Sequence, residues 1–307
     1  MAITAEMVRL LREKTSAGMM DCKKALSETD GDFDKAVTLL RERGVAVAAK
    51  RESRSASEGV IAIYISDDSQ TGVIVELNCE TTFVAKTDEF KALAANIAAH
   101  VAHSASDAVD CNCSDSVMTQ KYYADESVTL QDMVNTNVAK LGEKTALNRL
   151  VRFDVGGPEH SNNGAIGSYL HMGDRIGVLV ELKCESDSIS ENEVFQQLGK
   201  DLAMHISWSN PEYLSRDCIP AEAIEKEREI HKQWAIKEGK PEKIIDKIID
   251  GRMKEFYART CLLEQPFIKD QDNTIQDLLN LFKQDAGEEV QVVKYVRFGV
   301  GETSVDA

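Results

Sequence analysis

Apolar residues recur at helical spacing through the first fifty positions of the chain, in three runs separated by short polar turns. The first run begins near Met7 and the second near Met19. The third follows Asp32 and is expected to end at Gly44, because glycine is a common residue at helix ends. The pattern predicts a three-helix N-terminal module over residues 1–54.

An internal duplication organises the rest of the chain. A shift of 105 residues aligns positions 59–104 with 164–209 without a gap, and 15 of the 46 aligned pairs are identical. A different offset, 145, aligns the apolar segment at 151–156 with the one at 296–301. Repetition of this density indicates two copies of one fold.

Each copy is predicted to contain two strands, a helix and a closing strand. In the first copy, residues 59–65 and 72–77 are rich in valine and isoleucine and flank a polar turn, which is typical of a hairpin. A helix is predicted at about 88–104 from its apolar spacing. We therefore predict an α+β protein, in which the N-terminal module precedes two antiparallel-sheet-plus-helix subdomains at 55–158 and 159–307.

The second copy has 40 more residues than the first, the difference between the two offsets. They fall in a charged stretch at about 221–259 that is interrupted once, at Gly239-Lys240-Pro241. A sparse apolar seam on both sides of the interruption predicts an antiparallel helical hairpin of the coiled-coil type. The hairpin could pack on its own subdomain or extend as an arm to a partner, and the sequence favours neither.

The composition is acidic, with 52 Asp and Glu against 36 Lys and Arg and a net charge of −16. Nucleic acids and anionic membrane surfaces require basic contact surfaces, so we expect neither as a partner. The N-terminus lacks the pattern of a secretion signal, and seven scattered cysteines do not form a disulfide framework. These features predict a cytoplasmic protein. Cys111 and Cys113 are close, but without further ligands nearby we expect no metal site.

No catalytic motif is recognisable, and no cofactor is expected. His100 and His205 occupy equivalent repeat positions, which favours an inherited packing or hydrogen-bonding role. The repeat-equivalent pairs Glu76/Glu181 and Glu80/Glu185 could be imagined as catalytic carboxylates, but alternation along a strand predicts that they lie on a solvated outer face. An enzyme that uses Cys79 or His205 is the weakest alternative.

The loop between the second strand and the helix of the first copy carries an unusual aromatic residue. Thr81 or Thr82 could cap a short helix there, because a hydroxyl accepts hydrogen bonds from free backbone N–H groups. Phe83 has Ser188 as its repeat counterpart, so the aromatic is peculiar to the first copy. The default interpretation is that Phe83 staples the helix start. The alternative is an apolar wedge presented to a partner.

Several segments resemble one family. Residues 12–26, with the sequence REKTSAGMMDCKKAL, closely resemble the N-terminal signature of bacterial elongation factor Ts. Thr81-Thr82-Phe83-Val84 is similar to that family's Thr-Asp-Phe-Val motif. Further similar segments, in the same order along the chain, are 175–180, 204–213, 251–254 and 265–267.

The resemblance implies a guanine nucleotide exchange factor that acts by binding and not as an enzyme. Its partner would be elongation factor Tu in the GDP-bound and nucleotide-free forms, from which it would dislodge magnesium so that GTP replaces GDP during translation elongation. The tip Thr81-Thr82-Phe83-Val84 would act on the magnesium site. Further implied contacts are Arg12, Met19, Met20 and Lys23 in the N-terminal module, and Ile176, Gly177, His205 and Ile268 in the core.

The chain departs from the family pattern in three places. Thr82 replaces the aspartate before the phenylalanine, which removes a negative charge from the tip. Ser16 replaces a glycine of the turn between the first two helices, and we do not expect the C-terminal helical extension seen in some relatives. A ubiquitin-associated-like adaptor is the competing hypothesis for the N-terminal module, but it leaves the duplicated core and Phe83 without a role.

Overall fold

The computed structural model describes residues 3–15, 17–104, 114–155, 163–186 and 192–302. The N-terminal module consists of α1 (Ala5–Thr15), α2 (Met19–Glu28) and α3 (Phe33–Ala49) around a small apolar core. Asp32 caps α3, since its carboxylate accepts a hydrogen bond from the Lys35 N–H at 3.1 Å.

The predicted end of the third helix is wrong, because α3 continues through Gly44 to Ala49. Gly44 is buried where α3 crosses a later helix, and a Cβ at this position would lie 3.3 Å from the carbonyl oxygen of Asn135. The glycine therefore permits close helix packing and does not end the helix.

The first copy begins with the hairpin β1 (Glu58–Ile65) and β2 (Thr71–Cys79), which is followed by the helices α4 (Thr82–Ala85) and α5 (Asp88–His103). The remaining elements are α6 (Ser114–Met118), β3 (Lys121–Tyr122), β4 (Asp125–Thr129), α7 (Leu130–Leu141) and β5 (Thr145–Asp154). The strands form an antiparallel sheet in the order β1-β2-β5, and α3 packs on α7.

The second copy repeats this arrangement with β6 (Gly164–His171), β7 (Ile176–Lys183) and α8 (Glu193–Ser209). Its later elements are α9 (Ala221–Lys237), α10 (Glu242–Thr260), β8 (Pro266–Phe267), β9 (Asp270–Thr274), α11 (Ile275–Ala286) and β10 (Gln291–Gly299). The second sheet has the order β6-β7-β10, so the mixed helix and antiparallel-sheet content confirms the predicted α+β class.

The two sheets pack face to face, and each carries a helix on its outer face. Val73, Val75 and Leu77 of β2 face α5, whereas Ile74 faces the other sheet. Two backbone hydrogen bonds related by the duplication join the sheets. The Ile61 N–H donates to the Asp174 carbonyl at 2.7 Å, and the Ile166 N–H donates to the Ser69 carbonyl at 2.9 Å.

This sandwich overturns the prediction that Glu76 and Glu181 lie on a solvated face. Both are buried, because the face of the sheet opposite the helix is covered by the second sheet. Glu76 is fully buried and accepts hydrogen bonds from Arg149 Nε at 2.7 Å and from the Gly301 N–H at 2.9 Å. Glu181 forms an ion pair with Lys294 at 3.3 Å. Glu76 therefore links the two halves of the core, whereas the Glu181 pair joins two strands within the second half.

The duplication extends further than the sequence pattern indicates. Residues after position 114 recur at an offset of 145, including a capping box at the start of α7 and its counterpart at the start of α11. The closing strands β5 and β10 also carry equivalent register shifts opposite Glu76 and Glu181. The short hairpins β3–β4 and β8–β9 are also equivalent, so the sheet strands, the hairpins and the two longer helices of the first copy all have counterparts in the second.

Helices α9 and α10 form the predicted hairpin, joined at Gly239-Lys240-Pro241. The apolar seam is narrower than predicted. Ala235, Ile249 and Met253 are buried, but several large apolar side chains on the hairpin are exposed: Ile230, Trp234, Ile236 and Ile244. The packed-hairpin and arm hypotheses both stay predictions. Among the described residues, no helix combines the length and apolar character needed to cross a membrane.

Candidate partner-binding site

Phe83 lies on a short helical tip between β2 and α5. The Thr81 hydroxyl caps α4 by accepting a hydrogen bond from the Val84 N–H at 3.4 Å. Thr81, and not Thr82, is therefore the cap, so the aspartate that Thr82 replaces is not needed for this role. Phe83 is 84% exposed, whereas Val84 packs into the core of the first copy.

The exposure of Phe83 rules out the staple interpretation, because a staple requires its side chain to pack against the first turns of the helix. Because Phe83 is 84% exposed, its side chain contributes little apolar burial to the stability of the protein's own fold. The motif predicts that Val84 belongs to the exposed tip together with Phe83. Val84 is instead buried in the core of the first copy, where it anchors the tip. The surface of the tip consists of Thr82 and Phe83 above a fixed base.

That base is Thr81, which is held through three of its polar groups. Its N–H and its hydroxyl donate to the two carboxylate oxygens of Glu143 at 2.9 and 2.7 Å. Its carbonyl accepts a hydrogen bond from the Cys79 thiol at 3.2 Å. Burial, with a smaller contribution from the negative charge of Glu143, raises the pKa of Cys79 to about 11. Cys79 therefore stays a thiol and a donor, which does not suit a nucleophile.

Glu80 connects the base of the tip to the end of the N-terminal module. Its carboxylate accepts a hydrogen bond from the Lys144 N–H at 2.7 Å and pairs with Arg54 at 3.0 Å and Arg51 at 3.5 Å. The Lys144 backbone N–H and the two arginines lower the pKa of Glu80. The side chain of Lys144 in turn donates to the Glu52 and Arg54 carbonyls at 2.7 and 2.9 Å.

The N-terminal module presents the residues that the motif predicts as partner contacts. Arg12, Met19, Met20 and Lys23 are all exposed, with Met19 at 58% and Met20 at 73%. Methionine is flexible and polarizable, and exposed methionines are common at binding surfaces. The turn residue Ser16 lies outside the described residues.

The four predicted contacts of the second copy lie deeper. His205 is buried and Ile268 is half-buried, and the Ile268 N–H donates to His205 Nδ1 at 3.3 Å. Gly177 packs against the first sheet, where a Cβ would lie 2.5 Å from Ile61 Cγ2, and Ile176 is half-buried. His205 and Gly177 are both buried in the protein, and direct contact of these residues with a partner stays a prediction.

The two repeat-equivalent histidines are satisfied as neutral rings. In His205, Nδ1 accepts from the Ile268 N–H, so Nε2 carries the proton and donates to Gln265 Oε1 at 3.0 Å. His100 makes the same pair of bonds, with the Tyr123 N–H and with Gln120. Burial lowers the pKa of both rings. Their geometry supports the packing and hydrogen-bonding role predicted from the repeat.

Among the residues described, no group of three or more His, Cys, Asp or Glu side chains is arranged to hold a metal ion. The pair Cys111 and Cys113 lies outside those residues. The features that stand out are an exposed aromatic tip on a fixed base and an exposed methionine pair. Such a surface is typical of a protein that acts through a macromolecular partner.

Comparison with known proteins agrees with this class. The family model described as Elongation factor TS matches residues 80–302. Elongation factor Ts of Clostridium tetani (strain Massachusetts / E88) is 45% identical over 98% of the chain and 94% of its own length. The protein of the same name from Clostridium novyi (strain NT) is 43% identical over 98% of the chain and 93% of its own length.

The chain belongs to the elongation factor Ts family, whose members are nucleotide exchange factors of translation elongation. The match confirms the resemblance inferred from the motifs. The family-model match includes Phe83, the part of the first copy that follows β2 and the whole second copy, and an adaptor hypothesis has no use for these parts of the chain.

The motifs do not point to Glu143, which is 62 residues from Thr81 in the sequence. A signal for it exists. Gly142-Glu143 recurs as Gly287-Glu288 at the offset of 145 that relates the closing strands. Extending that offset toward the N-terminus would have shown that the same glutamate precedes the closing strand in both copies.

Proposed function

We propose that the protein binds GDP-loaded elongation factor Tu and uses the Phe83 tip to disturb the magnesium and phosphate site, so that GDP leaves and GTP can enter. The partner follows from the family. One observation supports the mechanism above others: Phe83 is 84% exposed directly beside a buried anchor. On this proposal the protein acts by binding, without a cofactor, in the cytoplasm, where translation factors work.

The tip is suited to act as a wedge because Phe83 is not buried in its own protein, so the free energy of burying it can contribute to binding a partner. Phe83 gains roughly 1.5–3 kcal/mol when it moves from water into an apolar pocket of the partner. That energy can be spent on displacing the side chains that hold magnesium. The metal carries the largest charge in such a nucleotide site, so a shift of its ligands strongly weakens nucleotide binding. Each 1.4 kcal/mol of strain corresponds to about a tenfold loss of GDP affinity.

The N-terminal module supplies a second contact. We propose that Met19 and Met20, flanked by Arg12 and Lys23, dock on the G domain of the partner. The module carries 11 basic and 9 acidic residues over 1–54, in contrast to the acidic chain as a whole. The contact provides affinity, and the tip provides the distortion. Thermodynamic linkage then requires that the factor lower GDP affinity by the same ratio by which GDP lowers the affinity for the factor.

Replacement of both methionines by alanine (Met19→Ala with Met20→Ala) should weaken binding without disabling the tip. We expect about tenfold weaker binding to elongation factor Tu, because two apolar side chains no longer become buried. The rate of GDP release at saturating factor should change little. A titration of elongation factor Tu loaded with fluorescent GDP separates the two quantities.

A matched control is Leu281→Ala, which removes an apolar side chain of 43% exposure from α11 in the second copy. This variant should bind and exchange as the unmodified protein does. If the methionine variant binds with unchanged affinity, the N-terminal module is not the docking surface.

A further inference from the structure

The two hydrogen bonds that Glu143 accepts from Thr81 form a clamp on that residue, and this clamp has a counterpart in the second copy. The Ser186 N–H and hydroxyl donate to the carboxylate of Glu288 at 3.1 and 2.6 Å. The Cys184 thiol donates to the Ser186 carbonyl at 3.3 Å, as Cys79 does to Thr81. Each half of the core therefore contains the same frame: a glutamate before the closing strand accepts hydrogen bonds from the residue two positions after the repeat-equivalent cysteine, Cys79 or Cys184.

The two frames hold different segments. In the first copy the clamped residue caps α4, and Phe83 projects from the first turn of that helix. In the second copy, Ser188 occupies the position of Phe83 in the sequence, and residues 187–191 lie outside the described residues. A loss of the frame should therefore have different functional consequences in the two copies.

Helix α4 depends on its cap because it has only four residues, Thr82–Ala85. A helix this short is not stable in isolation, since helix nucleation is costly. Its position is set by Val84 in the core and by Thr81 at its start. The bonds to Glu143 fix both the backbone and the hydroxyl of Thr81, so they fix the direction in which Phe83 projects.

We propose that Glu143 is a positioning residue for nucleotide exchange, which orients the Phe83 tip through its two hydrogen bonds to Thr81. This inference rests on the proposed function. Glu143 itself needs no contact with the partner, because it lies beneath the tip at Thr81. A wedge that is free to reorient spends part of its binding energy on its own ordering, and less remains to distort the partner.

The test replaces Glu143 with glutamine (Glu143→Gln), which keeps the size of the side chain but removes its charge and one of its two acceptors. We expect the maximal rate of GDP release at saturating factor to fall about tenfold, the cost of roughly one charge-assisted hydrogen bond. Affinity for GDP-loaded elongation factor Tu should change less than threefold, because the N-terminal module provides that contact. A partial loss of folded protein would instead raise the factor concentration needed for half-maximal release and leave the maximal rate unchanged.

Glu288→Gln is the matched control, since it breaks the same frame in the copy without the aromatic. Amide hydrogen exchange at Thr81 and at Ser186 shows whether each variant loosens its own loop. The proposal holds if both loops loosen but only Glu143→Gln slows GDP release. It fails if Glu143→Gln releases GDP at the unmodified rate with a loosened loop, or if both variants slow release equally.

Two further variants distinguish a failure of the positioning role from a failure of the tip mechanism. Thr81→Val removes the hydroxyl that donates to Glu143 but leaves the carboxylate in place. We expect it to slow maximal GDP release, and it replaces Glu143→Gln as the test if that variant is too unstable to assay. Phe83→Ala is measured in parallel. If Phe83→Ala and Glu143→Gln both exchange normally, the tip mechanism itself is wrong; if only Glu143→Gln does, the positioning role alone is wrong.

Discussion

Phe83→Ala should slow GDP release from elongation factor Tu by roughly 30- to 900-fold, which corresponds to a loss of about 2–4 kcal/mol at an interface hot spot. The side chain is 84% exposed and contributes little to folding, so the variant should unfold at the same denaturant concentration as the unmodified protein. A large loss of exchange with unchanged stability is the signature of a residue that acts on a partner.

Release of fluorescent GDP, followed by stopped flow at several concentrations of the factor, measures this effect. Leu281→Ala is again the control, because Leu281 is an exposed apolar residue of α11 in the second copy. We expect that control to exchange normally. Exchange by Phe83→Ala within twofold of the unmodified rate would remove the wedge role.

Arg149→Met should lower the free energy of unfolding by roughly 3–5 kcal/mol, because it leaves a buried carboxylate without its cation. Arg149 Nε lies 2.7 Å from Glu76 Oε2, and Nη2 donates to the Gly299 carbonyl at 2.9 Å. The guanidinium also lies 4.1 Å from the centre of the Phe298 ring. These contacts join β5 to β10, so their loss weakens the packing of the two sheets.

Urea denaturation measures this loss, and two further variants test its cause. Glu76→Leu combined with Arg149→Met should recover part of the stability, since no unpaired charge stays buried. Arg9→Met removes a surface pair with Glu13 whose side chains are 68% and 62% exposed, and should change stability by less than about 1 kcal/mol. Equal losses in the buried and surface variants would mean that burial of Glu76 does not matter.

The fold class was predictable because the signals were local or repeated. The runs of valine and isoleucine in β1 and β2 and the apolar spacing of α5 predicted those elements within a few residues. The duplication then predicted the same elements in the second copy. The short strands β3 and β4 have few residues and little alternation, so no periodic pattern could indicate them.

The errors arose where tertiary packing decided the outcome. Strand alternation correctly separates Val75 and Glu76 onto opposite faces, but it cannot show that a second sheet covers the polar face. Gly44 looked like a helix end because the residue that requires a glycine there, Asn135, is 91 positions away in the sequence and only packing brings the two together. The same limit applies at the candidate site, where only the structure shows that Phe83 is exposed and Val84 is buried.

The most direct test of the proposed function is release of fluorescent GDP from elongation factor Tu of the same organism, with the unmodified protein added in amounts well below those of elongation factor Tu. We expect a large acceleration that goes to completion, because each factor molecule leaves when GTP or excess GDP rebinds and then acts again. If a folded protein binds elongation factor Tu but leaves the rate of GDP release unchanged, nucleotide exchange by this chain is contradicted.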